Sequence, residues 1–160
     1  MKVEIHSADY SNQLHGREII ELMSEYAQDP MGGQKDLSDE VKKNLVVSLE
    51  KIPGAFSVIA YVDEKPAGLI NCFEGFSTFS CLPLVNIHDV IVSSDYRGHG
   101  ISLLMLEKVE QIASAKGCCK LTLEVLEGNK AALNSYQEFG FSAYELDPEV
   151  GRALFWEKKL

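Results

Sequence analysis

Residues 93–102, Ser-Ser-Asp-Tyr-Arg-Gly-His-Gly-Ile-Ser, set two glycines around a histidine directly after an apolar run and directly before a helical pattern. A strand that ends in such a turn and opens a helix presents unpaired backbone N–H groups at the positive end of the helix dipole. That combination is an anion cradle. Gly98 and Gly100 let a phosphate approach without meeting a β-carbon, and Arg97 adds a positive charge at the mouth. A P-loop needs Gly-Lys-Ser/Thr, whereas Gly100 is followed by Ile101-Ser102; a dinucleotide fingerprint needs a third glycine where Leu103 stands. Both phosphate motifs fail, and the pair of glycines alone does not separate a cradle from a purely structural turn.

Just upstream, the β-branched run 84–92, Leu-Val-Asn-Ile-His-Asp-Val-Ile-Val, carries a titratable pair. On a regular strand His88 and Asp89 point to opposite faces, and His88 shares its face with Asn86, Val90 and Val92. An imidazole of ordinary pKa, about 6.5, suits proton transfer near neutrality. The competing reading is a hydrogen-bonded strand histidine beside a structural acceptor. Tyr136 falls on a helical stripe with Ala132 and Phe139, which by itself reads as core. His99 reads as a solvated loop residue. Cys118-Cys119 has no histidine and aspartate spaced to activate it, so it reads as packing.

The elements that position these groups follow from apolar periodicity. A strand is expected at 3–5 and an amphipathic helix at 18–26, followed by a polar loop at 29–40. Ser38 caps a second helix running to about Ile52, where Pro53-Gly54 stops it. A hairpin joins strands at 56–62 and 67–73, and the 84–92 strand follows. From Ile101 the apolar spacing is helical, with Gly117 as the C-terminal cap. Alternation at 119–125 predicts a strand, 129–139 a short helix with Asn129 as its N-cap, and 141–145 and 153–158 two final strands. The expected order is β-α-α-β-β-β-α-β-α-β-β in a single domain, 1–160.

Composition limits the function classes. The chain has 160 residues, 46% of them hydrophobic, and carries 24 acidic against 15 basic side chains for a formal charge of −9. That charge repels a phosphate backbone, so nucleic acid is not expected as a partner, while a cationic small acceptor fits it. No apolar stretch reaches the roughly 18 residues of a membrane span, and the first residues lack the order of a secretory signal. No membrane partner is expected, and a cytoplasmic location is. Four cysteines without a C-x-x-C pair read as buried thiols, with no metal site.

Two stretches together carry a resemblance. The segment Val-Ile-Val-Ser-Ser-Asp-Tyr-Arg-Gly-His-Gly-Ile-Ser is similar to the main signature of the GNAT N-acetyltransferase superfamily, a strand followed by Arg/Gln-x-x-Gly-x-Gly/Ala and a helix. Arg97, Gly100 and Ser102 occupy those positions; serine replaces the usual glycine or alanine but keeps its N–H. Residues 125–141 resemble the second signature, with Asn129, Ala132, Tyr136, Gly140 and Phe141 in matching spacing. Phe76-Ser77-Thr78-Phe79 and the 87–98 strand and turn look most like the small-amine acetyltransferases of that superfamily.

The resemblance implies an α/β (α+β) fold: a mixed, mostly antiparallel twisted sheet of about six to seven strands flanked by about four helices, with one splayed parallel pair. It implies transfer of an acetyl group from acetyl-CoA to a primary amine by direct attack in a ternary complex. A peptide or protein N-terminal acetyltransferase and a catalytically silent acyl-CoA-binding module are the alternatives, and a homodimer is admitted. Gly98, His99, Gly100, Ile101, Ser102 and Leu103 would cradle the pyrophosphate, with Arg97 at the mouth and Asn129 in contact. The backbone of Val90, Ile91 and Val92 would pair with the pantetheine arm in a gap opened by a bulge. A backbone N–H near Val90 would stabilise the oxyanion, Tyr136 would protonate the leaving thiolate, and His88 or Asp89 would take the amine's proton. The acceptor pocket is expected between the first two helices and their loop, around Met31-Gly32-Gly33-Gln34, and near Asp147-Pro148. Glu74, Asp36 and Asp39 are candidates for attracting a cationic amine.

Overall fold

Asp63 and Glu64 both adopt positive φ, 47° and 66°, and so reverse the chain in a tight two-residue turn. That turn joins β2 (Ala55–Val62) to β3 (Lys65–Ser77), and with β1 (Val3–Ser7), β4 (Leu82–Val92) and β5 (Leu121–Leu123) it builds one sheet in the order β1-β2-β3-β4-β5. The computed structural model describes residues 1–160, with residues 1–126 forming one compact unit and 127–160 a second. The whole sheet belongs to the first unit. Its first three pairings are antiparallel and β4–β5 is parallel.

Helices α1 (Gln13–Gln28) and α2 (Asp39–Lys51) cover one face of the sheet, and α3 (Ile101–Ala115) covers the other. Asn12 caps α1 by accepting from the Leu14 N–H, and Ser38 caps α2 by accepting from the Val41 N–H at 3.3 Å, as expected for that serine. Asp39 and Glu40 in the first turn of α2 and Lys51 in its last also match the helix dipole. Ile19 and Leu22 of α1 pack on Ile59, Leu69 and Ile91 of the sheet, all buried. Each such side chain contributes about 1.5–3 kcal/mol through burial. On the opposite face a β-carbon at Gly68 would stand 2.8 Å from Met105 Cε, so this glycine lets α3 lie close against the sheet. No helix is long and apolar enough to cross a membrane.

The strand count is five, below the expected six to seven, and the difference lies at the chain's end. Residues 141–145 and 153–158 do not form strands; a single bridge pairs Glu145 with Arg152, just before the second segment. A strand needs a neighbour's ladder, and an isolated pair with Pro148 and Gly151 between its arms does not supply one. Leu154, Phe155 and Trp156 are consequently exposed. The second unit contains α4 (Lys130–Phe139), capped by Asn129, whose Oδ1 accepts from the Ala132 N–H at 3.2 Å. Gly140 ends the helix, and Tyr136 meets Phe141 edge to face at 6.0 Å.

Candidate active site

The site is organised by one extra residue in β4. Asn71 pairs with Asp89 but Cys72 pairs with Ile87, which leaves His88 as a bulge. The bulge resets the alternation of side chains. His88 and Asp89 therefore both line the same cleft on the α1–α2 side, rather than pointing to opposite faces as a regular strand would require. Asn86 keeps its face with His88, while Val90 and Val92 turn to the α3 side, opposite Ile91.

The parallel ladder with β5 stops at the same place. Its register runs from Val85↔Leu121 to Ile87↔Leu123 and goes no further, although β4 continues for five residues. Which backbone groups this exposes follows from the antiparallel side. The Ser93 N–H donates to the Ala67 carbonyl at 2.9 Å. Hydrogen-bonded pairs alternate along such a ladder, so 91 with 69 and 89 with 71 are bonded pairs, and Val90 and Val92 turn their N–H and C=O away from β3. The Val90 N–H thus points to the side of β4 where no strand pairs with it. The Val92 carbonyl on that edge accepts from Arg97 Nε at 3.1 Å.

Beyond β4 a single 3-10 turn, Ser94–Tyr96, leads into the glycines. Gly98 and Gly100 hold φ of 79° and 73°, a region that side chains rarely adopt, and a β-carbon on either would enter open space. Gly100 caps α3 without any side-chain hydrogen bond, and it is at such helix starts that backbone N–H groups can meet an anion. The Leu103 N–H already donates to the Gly100 carbonyl at 3.1 Å. Ile101 sends its side chain into the core and contributes only backbone, and His99 is exposed.

Arg97 does not stand free at the mouth. Its guanidinium bonds Asp29 at 2.8 Å, and Asp29 also accepts from the Met31 N–H at 2.9 Å. These two contacts, the backbone bond first, hold the Asp29 carboxyl below its ordinary value. Glu25 accepts from the Ser94 N–H at 2.8 Å. The end of α1 is thereby tied to the turn that leads into the cradle, a role that the position of Arg97 in sequence did not disclose.

The cleft, about 300 Å³, lies within the first unit. Met23 of α1, Leu45 and Leu49 of α2, Ile52 just beyond it and Phe73 of β3 form its apolar walls. Its polar groups are Ser48, Asn71, His88 and Asp89, with the His88 ring edge-on to Phe73 at 5.4 Å. The expected loop residues 31–34 are not part of this lining. Asp36 is engaged by Ser24 and by Lys42 at 2.6 Å, and Glu74 by Lys116 at 3.3 Å, so neither is poised to receive an amine.

Behind Asp89 runs a polar chain that sequence reasoning missed. Asn71 Nδ2 donates to Asp89 Oδ2 at 3.0 Å, and Asn71 Oδ1 accepts from Ser57 Oγ at 2.6 Å. Ser57 has one proton and gives it to Asn71, so Tyr10, 2.8 Å away, must be the donor to Ser57. Burial raises the Tyr10 phenol above its ordinary pKa, in keeping with that donor role. Ser57 and Asn71 are fully buried, and every hydrogen bond in the chain points toward the carboxylate. Tyr26 of α1 feels the same charge: burial first, then Asp89 and Asp29, raise its phenol. A lone amide in the apolar run Leu69-Ile70-Asn71-Cys72 was the signal that could have found this network.

The chain belongs to the acetyltransferase (GNAT) family, whose sequence model matches residues 17–141. It is 39% identical over 56 residues to a thialysine N-epsilon-acetyltransferase of Bos taurus, a match covering 35% of this chain and spanning only 33% of that protein. Its fold is similar to that of an aminoglycoside acetyltransferase from an uncultured soil metagenomic sample in complex with sisomicin, with a TM-score of 0.81 at 16% identity over 99% of this chain and 96% of the other. An aminoglycoside N-acetyltransferase in complex with CoA matches with a TM-score of 0.76 at 17% identity, over 99% and 96% of the two chains. The mixed sheet with one parallel pair is the fold expected for the family.

Proposed function

We propose that this chain is an acetyl-CoA-dependent N-acetyltransferase that acts on a primary amine of a small molecule. The observation that carries the reading is the geometry of β4. Its unpaired edge, its bulged His88 and its exit into the glycine turn put an extended backbone edge, the titratable pair His88 and Asp89 and the start of α3 within fifteen residues, 88–102, which supports reading them as one site. A CoA complex among the structural neighbours and a relative named for acetylating an amine support it.

The residues present fit a CoA ester. The N–H groups of 98–102 would hold the pyrophosphate, and the β4 edge at Val90 and the Val92 N–H would receive the extended arm, the Val92 carbonyl being taken by Arg97. Acetyl-CoA supplies the activated acetyl group. The chain's own residues do the rest. An amine of reference pKa about 10.4 arrives protonated and must lose a proton before it can attack. Asp89 attracts the ammonium into the cleft, and His88 or Asp89 removes its proton. The Val90 N–H donates to the oxygen that gains negative charge. Tyr136, assigned from the Asn129-x-x-Ala132-x-x-x-Tyr136 pattern, supplies a proton to the departing sulfur.

Release of free CoA thiol from acetyl-CoA, followed on addition of a panel of primary amines, tests the proposal. Amine-dependent release with an N-acetylated product in the mass spectrum is the expected result. A folded protein that releases no thiol with any amine, amino acid or peptide would refute it.

A further inference from the structure

We infer that the acceptor is a primary amine carried on an apolar body and lacking an acid group of its own. The inference rests on the acetyltransferase reading and deepens it by naming the substrate class. The cleft beside Asp89 has five apolar wall residues and one carboxylate, and neither lysine nor arginine lines it. Its volume, about 300 Å³, is at the lower end for small-molecule sites.

Charge decides what may enter. Asp89 is the lining's carboxylate, and Asn71 holds it through a neutral amide, so its charge is undiminished by a basic partner. An ammonium group entering the cleft meets that charge. A carboxylate or phosphate on the same molecule would be brought toward Asp89 with no lysine or arginine on the walls to offset it, and burying such a charge unpaired is unfavourable. A polyhydroxylated body would fare poorly for a second reason. Met23, Leu45, Leu49, Ile52 and Phe73 offer it no hydrogen-bond partners in exchange for water, whereas a hydrocarbon body gains from contact with all five. The bare aromatic edge formed by Phe73 and His88 also suits a flat or branched apolar group.

The test compares 2-phenylethylamine with phenylalanine, which share an apolar body and a primary amine and differ in the carboxylate. Calorimetry on the full chain in the presence of excess CoA should show phenylethylamine binding at least roughly tenfold tighter. Thialysine, which carries the same carboxylate, belongs with phenylalanine in the weak group. Ser48→Lys, at an exposed position on the cleft's rim, should narrow the preference severalfold by giving the acid group a partner. Equal affinities, tighter phenylalanine, undetectable phenylethylamine or a preference untouched by Ser48→Lys would each overturn the inference. Selective binding of phenylethylamine with no CoA release from any amine would instead overturn the transferase reading and leave the cleft's selectivity standing.

Discussion

Asn71 and Asp89 stand opposite each other across the β3–β4 ladder, directly beside the bulged His88, and Asn71 Nδ2 donates to Asp89 Oδ2 at 3.0 Å. A neutral amide fixes the carboxylate without cancelling its charge. It also closes one route for protons: an amide has no acidic proton to pass on, so a proton taken up at Asp89 cannot travel back through Ser57 to Tyr10. It must leave by way of the cleft, where His88 lies. On the proposed mechanism the buried chain is therefore a positioning device, and Asn71 acts through Asp89.

Two substitutions of Asn71 separate positioning from simple packing. Asn71→Leu removes the acceptor of the buried Ser57 hydroxyl and should cost about 1–3 kcal/mol in denaturant unfolding. Asn71→Asp puts a second carboxylate against Asp89, and like charges disfavour ionisation, so the acid limb of the kcat/KM profile should move to higher pH. An unmoved acid limb in the Asp variant would mean that Asp89 takes no part in the amine's deprotonation.

The tie between Arg97 and Asp29 predicts a pH-dependent contribution to stability. Asp29 is held below its ordinary pKa, by the Met31 N–H first and then by Arg97. Its contribution is present above the unfolded carboxylate value, near pH 4, and is lost as pH falls through the depressed folded value. Asp29→Asn should lower stability by less than about 1 kcal/mol at pH 7, since the pair is partly exposed. The difference from the native chain should vanish toward pH 2 in thermal melts. A difference that persists undiminished there would assign it to the Met31 turn rather than to the ion pair.

How much of this was legible in sequence depended on how local the cause was. The Ser38 cap, the glycine turn and the Asn129 cap are set by residues within a few positions of one another, and each formed as read. The bulge at His88 is different. The resemblance implied a bulge beside Val90–Val92, but nothing in Asn86-Ile87-His88-Asp89-Val90 marks its position, because it arises where two registers of the β3 ladder fail to match by one residue. Its consequence, that His88 and Asp89 share a cleft, was invisible for the same reason. The strands expected at 141–145 and 153–158 failed for want of a ladder, not of β-forming residues. Arg97 has the same charge whichever partner it takes, and the carboxylate it found lies 68 residues away.

Tyr136→Phe should leave the fold intact, because the ring that meets Phe141 is retained. A positioned general acid contributes about 10²–10⁴-fold, and kcat should fall within that range while acetyl-CoA affinity is unchanged. Steady-state kinetics at saturating acetyl-CoA, with a melt as control, makes the comparison. A variant that keeps native kcat across pH 6 to 9, with chemistry limiting, would make Tyr136 a packing residue.

Calorimetric titration of acetyl-CoA into the native chain and into Gly100→Asp tests the assignment of the site most directly. Gly100 has open space where a side chain would stand, so an aspartate there puts bulk and negative charge into the cradle. It must also adopt a φ of 73°, at a cost of roughly 1–2 kcal/mol to the fold, which a thermal melt would register. The account predicts one acetyl-CoA bound per native chain and a loss of about a hundredfold or more in a variant that is still folded. Unchanged affinity in the folded variant, or no binding to the native chain, would contradict it.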